Sequence, residues 1–317
     1  MKFAFDDQAL AFRDAVRDVL DEHADTTALR AAWGAPSGRT AGAWAALHEM
    51  GVLDALRPEA DGGLGLDEVD VVLVLEESGR FALPEPIVET MLVAAPLGVV
   101  ASGEAAAVVC PEAPYAVWAD TASVVVALGS DGVRCADRGS VTLQPHTSVD
   151  GARRLFAVDG LAAAPIVDGA DVALAFRRGV LGHAAQLCGL ADRMLALTVD
   201  YAKERKQFGA PIGSFQAVKH HLADARIALE FARPLVYLAA TSLRDGAPDA
   251  GRHTGMAKAA AGDAAALAAR AALQCHGAIG YTTEYDLHLY MKRVWALGAT
   301  WGDAAWHRRR LADHLLG

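Results

Sequence analysis

A chain of 317 residues with 53% hydrophobic content is long enough to bury a large core, in two or three lobes. Its 29 Lys and Arg against 39 Asp and Glu leave a formal charge of −10, which argues against a nucleic-acid binder, because phosphate contacts need a basic face. No apolar run approaches the roughly 18 residues of a membrane span, and the start "MKFAFDDQALAF" meets acidic residues before a signal-like stretch can form, so a cytoplasmic protein is expected.

In chain order, Asp7 is a plausible N-cap, followed by Phe12, Val16, Val19 and Leu20 at helical spacing. Helical pattern continues through "GAWAALHEMGVL" and "LDEVDVVLVLEESGRFAL", which makes residues 1–114 a helical lobe. Between about Tyr115 and Val167 the texture changes to short β-branched runs, "SVVVAL", "GVRCA", "SVTLQP" and "RRLFAVDG", parted by Gly, Asp and Ser turns. A small β region over 115–170 is expected. Helical spacing then returns over 171–317, in long segments with short connections that suggest a four-helix bundle. Val218, Leu222, Ala225 and Leu229 form one stripe there, and the Ala-rich "GMAKAAAGDAAALAARAALQCHG" allows close helix approach; both are expected to bury surface between subunits. The overall expectation is a mainly α fold with a small β middle domain.

Cys110, Cys135, Cys188 and Cys275 are far apart and form no Cys-x-x-Cys pair, so reduced, mostly buried thiols are expected and no zinc site. Adjacent His220 and His221 point about 100° apart on a helix and do not make a metal face. The dinucleotide, Walker, nucleophile-elbow and zincin motifs are all absent.

Two stretches concentrate chemistry. In "YAKERKQFGAPIGSFQ" (201–216), Arg205 offers a fork of donors suited to phosphate, Gly209 and Pro211 turn the chain, Phe208 and Phe215 offer flat faces, and Gln216 opens the next helix. An ordinary helix hairpin with a solvated charge run accounts for the same residues. In "QCHGAIGYTTE" (274–284), Gln274 ends a helix and Gly277 and Gly280 flank Ala278, which lets backbone approach a ligand; a simple glycine cap is the plainer account.

Taken together, "RKQFG…FQ" and, about 60 residues on, "QxxGAxGYTTE" resemble the paired signature of the acyl-CoA dehydrogenase family, and the order of lobes is similar over nearly the whole chain. The resemblance implies that both motifs reach across a dimer interface to FAD held mainly by a neighbouring subunit. Arg205, Gln207, Phe208 and Gln216 would contact its diphosphate and adenosine region, and Gln274, Gly277 and Ala278 would line the same ADP portion. Ala278 replaces the family's second Gly. The family's catalytic carboxylate has no counterpart: its usual position is Trp301 in "ATWGDAAWHRRRLA", and its position in another branch aligns with Gly179 in "FRRGVLGHAAQ". Asp303, two positions away, is a displaced alternative. The β region is shorter than in full-length members and lacks the Trp-[Ile/Phe]-[Ser/Thr] segment that packs on the flavin ring.

This pattern is similar to the small subunits of heteromeric α2β2 actinobacterial acyl-CoA dehydrogenases acting on steroid side-chain CoA thioesters, with electron-transfer flavoprotein as acceptor. Two alternatives stay open: a homomeric dehydrogenase that uses Asp303, and a flavin-free acyl-CoA-binding scaffold.

Overall fold

A computed structural model describes residues 4–316. The N-terminal part is a cluster of helices, α1 (Asp7–His23), α2 (Thr26–Gly34), α3 (Ala43–Glu49) and α4 (Glu68–Arg80), closed by a π-helical segment, Val88–Ala94. Asp6, not Asp7, caps α1: its carboxylate accepts from the Ala9 amide at 2.8 Å. Asp67 and Asp70 form a reciprocal capping box at the start of α4, so a helix of continuous apolar character still begins at a fixed residue.

Strands follow: β1 (Ala106–Val109), β2 (Ala116–Val117), β3 (Val124–Gly129), β4 (Gly132–Asp137), β5 (Thr142–His146) and β6 (Leu155–Asp159). They make two three-stranded sheets, ordered β1-β3-β4 and β2-β6-β5; β1 runs parallel to β3, and the other pairings are antiparallel. β-structure therefore begins at Ala106, ahead of the expected Tyr115, because "AAVV" is short and contains alanine and so gives little strand signal. Period-two alternation assigns the faces. Val124, Val126 and Leu128 turn into the helical core, whereas Ala107, Val125, Ala136 and Phe156 share a second core between the sheets.

The rest is helical: α5 (Val172–Glu204), α6 (Gln216–Arg244), α7 (Ala250–His276), α8 (Leu287–Gly298) and α9 (Ala304–Leu316), with a small hairpin of β7 (Lys206–Gln207) and β8 (Ala210–Pro211) between α5 and α6. Three helices are long, and the fourth bundle position is taken by the shorter α8 and α9, interrupted at residues 299–303. Glycines let α4 and α5 nearly touch: a Cβ at Gly79 would overlap Gln186 backbone, and one at Gly189 would overlap Glu76 backbone.

The expected subunit-facing surfaces are corrected here. α7 packs its alanines, among them Ala257, Ala261, Ala265, Ala268 and Ala272, inside this chain, and Ala225 and Leu229 of α6 are fully buried with them. The outward apolar face of α6 is instead Ile227, Phe231 and Leu238, on the opposite side of the same helix, with Phe231 76% exposed. A groove of about 480 Å³ lies along α5 and α6, lined by Leu195, Val199, Leu222 and Ala223 among others.

Candidate functional site

The first motif is a rim structure. α5 ends at Glu204, the Arg205 amide bonds back to the Tyr201 carbonyl at 2.9 Å, and the chain turns through β7 and β8 into α6. The turn requires positive φ at Phe208 (54°) and at Gly209 (82°), which presents the Phe208 ring outward, 94% exposed, with its edge toward Phe215 at 6.2 Å. A bulky residue in the left-handed region, projecting into solvent, is costly unless something uses it.

The second motif forms where α7 stops. Gly277 takes φ 65° and ψ −142°, a region open only to glycine, and a Cβ there would meet nothing within 4 Å. The backbone at Gly277 and Ala278 is therefore open to approach. Gly280 does different work, since a Cβ there would press on Leu273, His276 and Leu287 at 3.0–3.4 Å.

Both motifs lie at one end of the bundle. Tyr201, four residues before Arg205, stacks on His276, next to Gly277, with ring centroids 4.2 Å apart, and Tyr285 closes on both. The His276 Nδ1–H donates to the Ala272 carbonyl at 2.8 Å, and burial holds the ring neutral by lowering its pKa. Arg205, Gln207, Gln216 and Gln274 are exposed, and among the described residues no hydrogen bond or ion pair engages their side chains. They form an unused set of donors, suited to phosphate and ribose oxygens, beside two exposed aromatic rings and an open glycine backbone. Those residues fit the ADP portion of a flavin nucleotide.

The interior at the other end of α5 is closed. Gly179 lies directly under the Trp301 indole, so that a Cβ at 179 would overlap the ring. Trp301 is 1% exposed and sits between Phe176 and His183, with centroids at 5.7 and 5.6 Å, one helical turn to either side of Gly179. Its backbone is held in the left-handed region (φ 57°), with its amide on the Glu112 carbonyl (2.9 Å) and its own carbonyl accepting from His307 Nε2–H (3.0 Å). Lys258, the lone charge on a buried alanine face, donates to the carbonyls of Leu297 and Gly302, each at 3.0 Å, and fixes the same turn; burial lowers its pKa to about 7. Gly179 and Trp301 thus face each other, the glycine leaving a space that the indole fills.

Around this plug is a polar cluster not anticipated from sequence. His183 donates from Nδ1 to the Gly179 carbonyl at 2.9 Å, and its Nε2 stands 3.9 Å from Glu89. Burial pushes the His183 pKa down to about 3 and that of Glu89 up, so desolvation opposes charge on both groups. Arg153, also buried, is lowered to about 10. The signal was a lone Lys, His or Glu on an apolar face, which sequence alone does not separate from ordinary helix surface. Asp303 does not enter this interior: its Oδ1 caps α9 by accepting from the Trp306 amide at 2.7 Å, and it is exposed. Among the described residues no group of three or more His, Cys, Asp or Glu could hold a metal ion, and no helix is long and apolar enough to cross a membrane.

Comparison with known proteins gives the family. Residues 6–113 match the family model described as acyl-CoA dehydrogenase, N-terminal domain, and residues 168–316 match acyl-CoA dehydrogenase, C-terminal domain. The acyl-CoA dehydrogenase IpdE2 of Mycobacterium tuberculosis (strain ATCC 25618 / H37Rv) is 35% identical over 294 residues, 89% of each chain. Among solved structures, the Tcur3481-Tcur3483 steroid ACAD G363A variant superposes with a TM-score of 0.85 at 25% identity, covering 96% of each chain. The ChsE4-ChsE5 complex from Mycobacterium tuberculosis superposes at 0.86 with 22% identity, covering 99% of each. With the paired motifs at one end of the bundle and a curated relative similar over nearly its full length, the chain belongs to the acyl-CoA dehydrogenase family.

Proposed function

We propose that this chain is the non-catalytic subunit of a two-subunit, FAD-dependent acyl-CoA dehydrogenase, in which it completes the cofactor site of a larger catalytic partner. The observation that carries the proposal is the pairing of Gly179 with Trp301: both positions for a base are occupied by groups that take no proton, and the space between them is filled. When bound, FAD supplies the hydride acceptor for α,β-desaturation of an acyl-CoA thioester. This chain's part is recognition. Arg205 binds diphosphate oxygens with its guanidinium, Gln207, Gln216 and Gln274 hydrogen-bond the sugar and phosphate region, Phe208 covers a flat face, and the Gly277–Ala278 backbone admits close approach. The α-proton goes to a carboxylate of the partner chain.

Two chains named together in the Tcur3481-Tcur3483 and ChsE4-ChsE5 structures support a heteromer, and the steroid named in the first supports a steroid side-chain CoA thioester as substrate. Electron-transfer flavoprotein is the proposed acceptor. The outward Ile227, Phe231 and Leu238 face of α6 is the surface we assign to the partner. The displaced-base alternative is disfavoured by the commitment of Asp303 to the α9 cap.

A pair of substitutions in the co-purified complex tests the proposal. Arg205→Ala removes a charge-assisted contact worth roughly 1.5 to 3 kcal/mol, so FAD affinity falls by about one to two decades while the subunits stay together and added FAD partly restores activity. Asp303→Asn leaves turnover within a few-fold. A loss of three or more decades in Asp303→Asn with FAD still bound would replace this function by the displaced-base alternative.

A further inference from the structure

The segment after the second motif is held by a residue of the N-terminal helices that belongs to neither motif. Arg30 on α2 spreads its guanidinium over residues 283–286: Nη1 donates to the Thr283 carbonyl at 2.7 Å, Nη2 to the Glu284 carbonyl at 3.2 Å, and Nε to Asp286 Oδ1 at 2.5 Å. One turn on, Trp33 meets the His288 ring edge-on at 5.2 Å with the Lys292 ammonium over its face, so α2 braces the start of α8 as well. From the inner side the same segment is held by Tyr285, packed on Tyr201 and His276. The stretch 277–284 carries the open glycine backbone and has no regular structure beyond a short 3₁₀ turn; the buried Gly280 seats its middle, and these two anchors hold its far end.

We infer that Arg30 is a positioning residue for the Gly277–Ala278 cofactor edge, tying the N-terminal helices to a ligand contact made by the C-terminal bundle. The inference rests on the proposed function, in that the edge must face FAD. Three acceptors splayed around one planar fork are a geometry that only arginine satisfies; a lysine ammonium reaches one or two of them. An exposed ion pair of this kind adds little to stability, because solvent screens it, whereas a misplaced backbone edge loses ligand contacts directly.

The test uses the co-purified two-subunit complex stripped of flavin and titrated with FAD, with binding followed by flavin fluorescence, for wild type, Arg30→Ala, Arg30→Lys and Arg205→Ala. Arg30→Ala is expected to raise the FAD dissociation constant about three- to ten-fold, with Arg30→Lys between it and wild type. The thermal midpoint of the flavin-free complex should move by no more than about 2 °C. Wild-type affinity in Arg30→Ala alongside weakened binding in Arg205→Ala overturns the inference and leaves the proposed function standing. Wild-type affinity in Arg205→Ala as well removes the proposed function, and the positioning role with it. Should Arg30→Ala fail to fold, Asp286→Asn breaks the ionic arm alone: a two- to three-fold weaker affinity, on the order expected for one lost arm, supports the inference, and an unchanged one overturns it.

Discussion

At Gly179 the usual sign of a substitution reverses. Alanine in place of glycine inside a helix ordinarily gains about 0.5–1 kcal/mol from reduced chain entropy. Here the added methyl meets the Trp301 ring, which is wedged between Phe176 and His183 and cannot withdraw. Gly179→Ala is therefore expected to cost about 1–3 kcal/mol, read as a lower denaturation midpoint, and to be better tolerated beside Trp301→Ala, which opens the space. His307, which donates to the Trp301 carbonyl, titrates at about 4 in the fold against about 6.5 unfolded, because burial disfavours its cation. Its folded form binds fewer protons than the unfolded chain between those values, so its contribution is present above pH 6.5 and lost as pH falls toward 4. His307→Gln should show a shallower loss of denaturation midpoint from pH 6.5 to 4.5 than wild type; an equal slope would contradict the assignment. The rim residues were legible in sequence because each motif is contiguous. Glu89, His183, Arg153 and Lys258 were not, since they come from separate elements and meet only through packing.

At the scale of elements, α6 has two apolar faces, and helical period alone does not say which is internal. Val218, Leu222, Ala225 and Leu229 read as one stripe; the structure buries Ala225 and Leu229 in this chain's own core, leaves Val218 and Leu222 half-buried with Leu222 on the groove, and puts Ile227, Phe231 and Leu238 outside. What decided the matter was α7: its methyl side chains let three long helices pack closely within one chain, which a sequence read without its neighbours does not reveal. The faces separate by experiment. Phe231→Asp should leave the isolated chain folded, with an unchanged circular-dichroism spectrum, and weaken partner association by about 2 kcal/mol or more. Leu229→Asp buries an unpaired charge and should unfold the chain itself. The short β1 and the π-helical Val88–Ala94 were not legible either, the one for its alanines, the other because its period matches neither helix nor strand templates.

For the whole molecule, the order of helical lobe, sheets and bundle was legible because each texture persists over many residues. The plug was not: that Gly179 and Trp301 occupy one space follows only from the folded chain. The structure thus pairs a closed interior with an open rim, and a division of labour between two chains accounts for both. The flavin content of the chain purified alone and of the chain co-purified with its larger partner tests this most directly. The account predicts little or no flavin absorbance in the isolated chain and about one FAD per pair of subunits in the complex, since contacts to the ADP portion alone leave the flat ring unburied. Stoichiometric flavin in the isolated chain would contradict it.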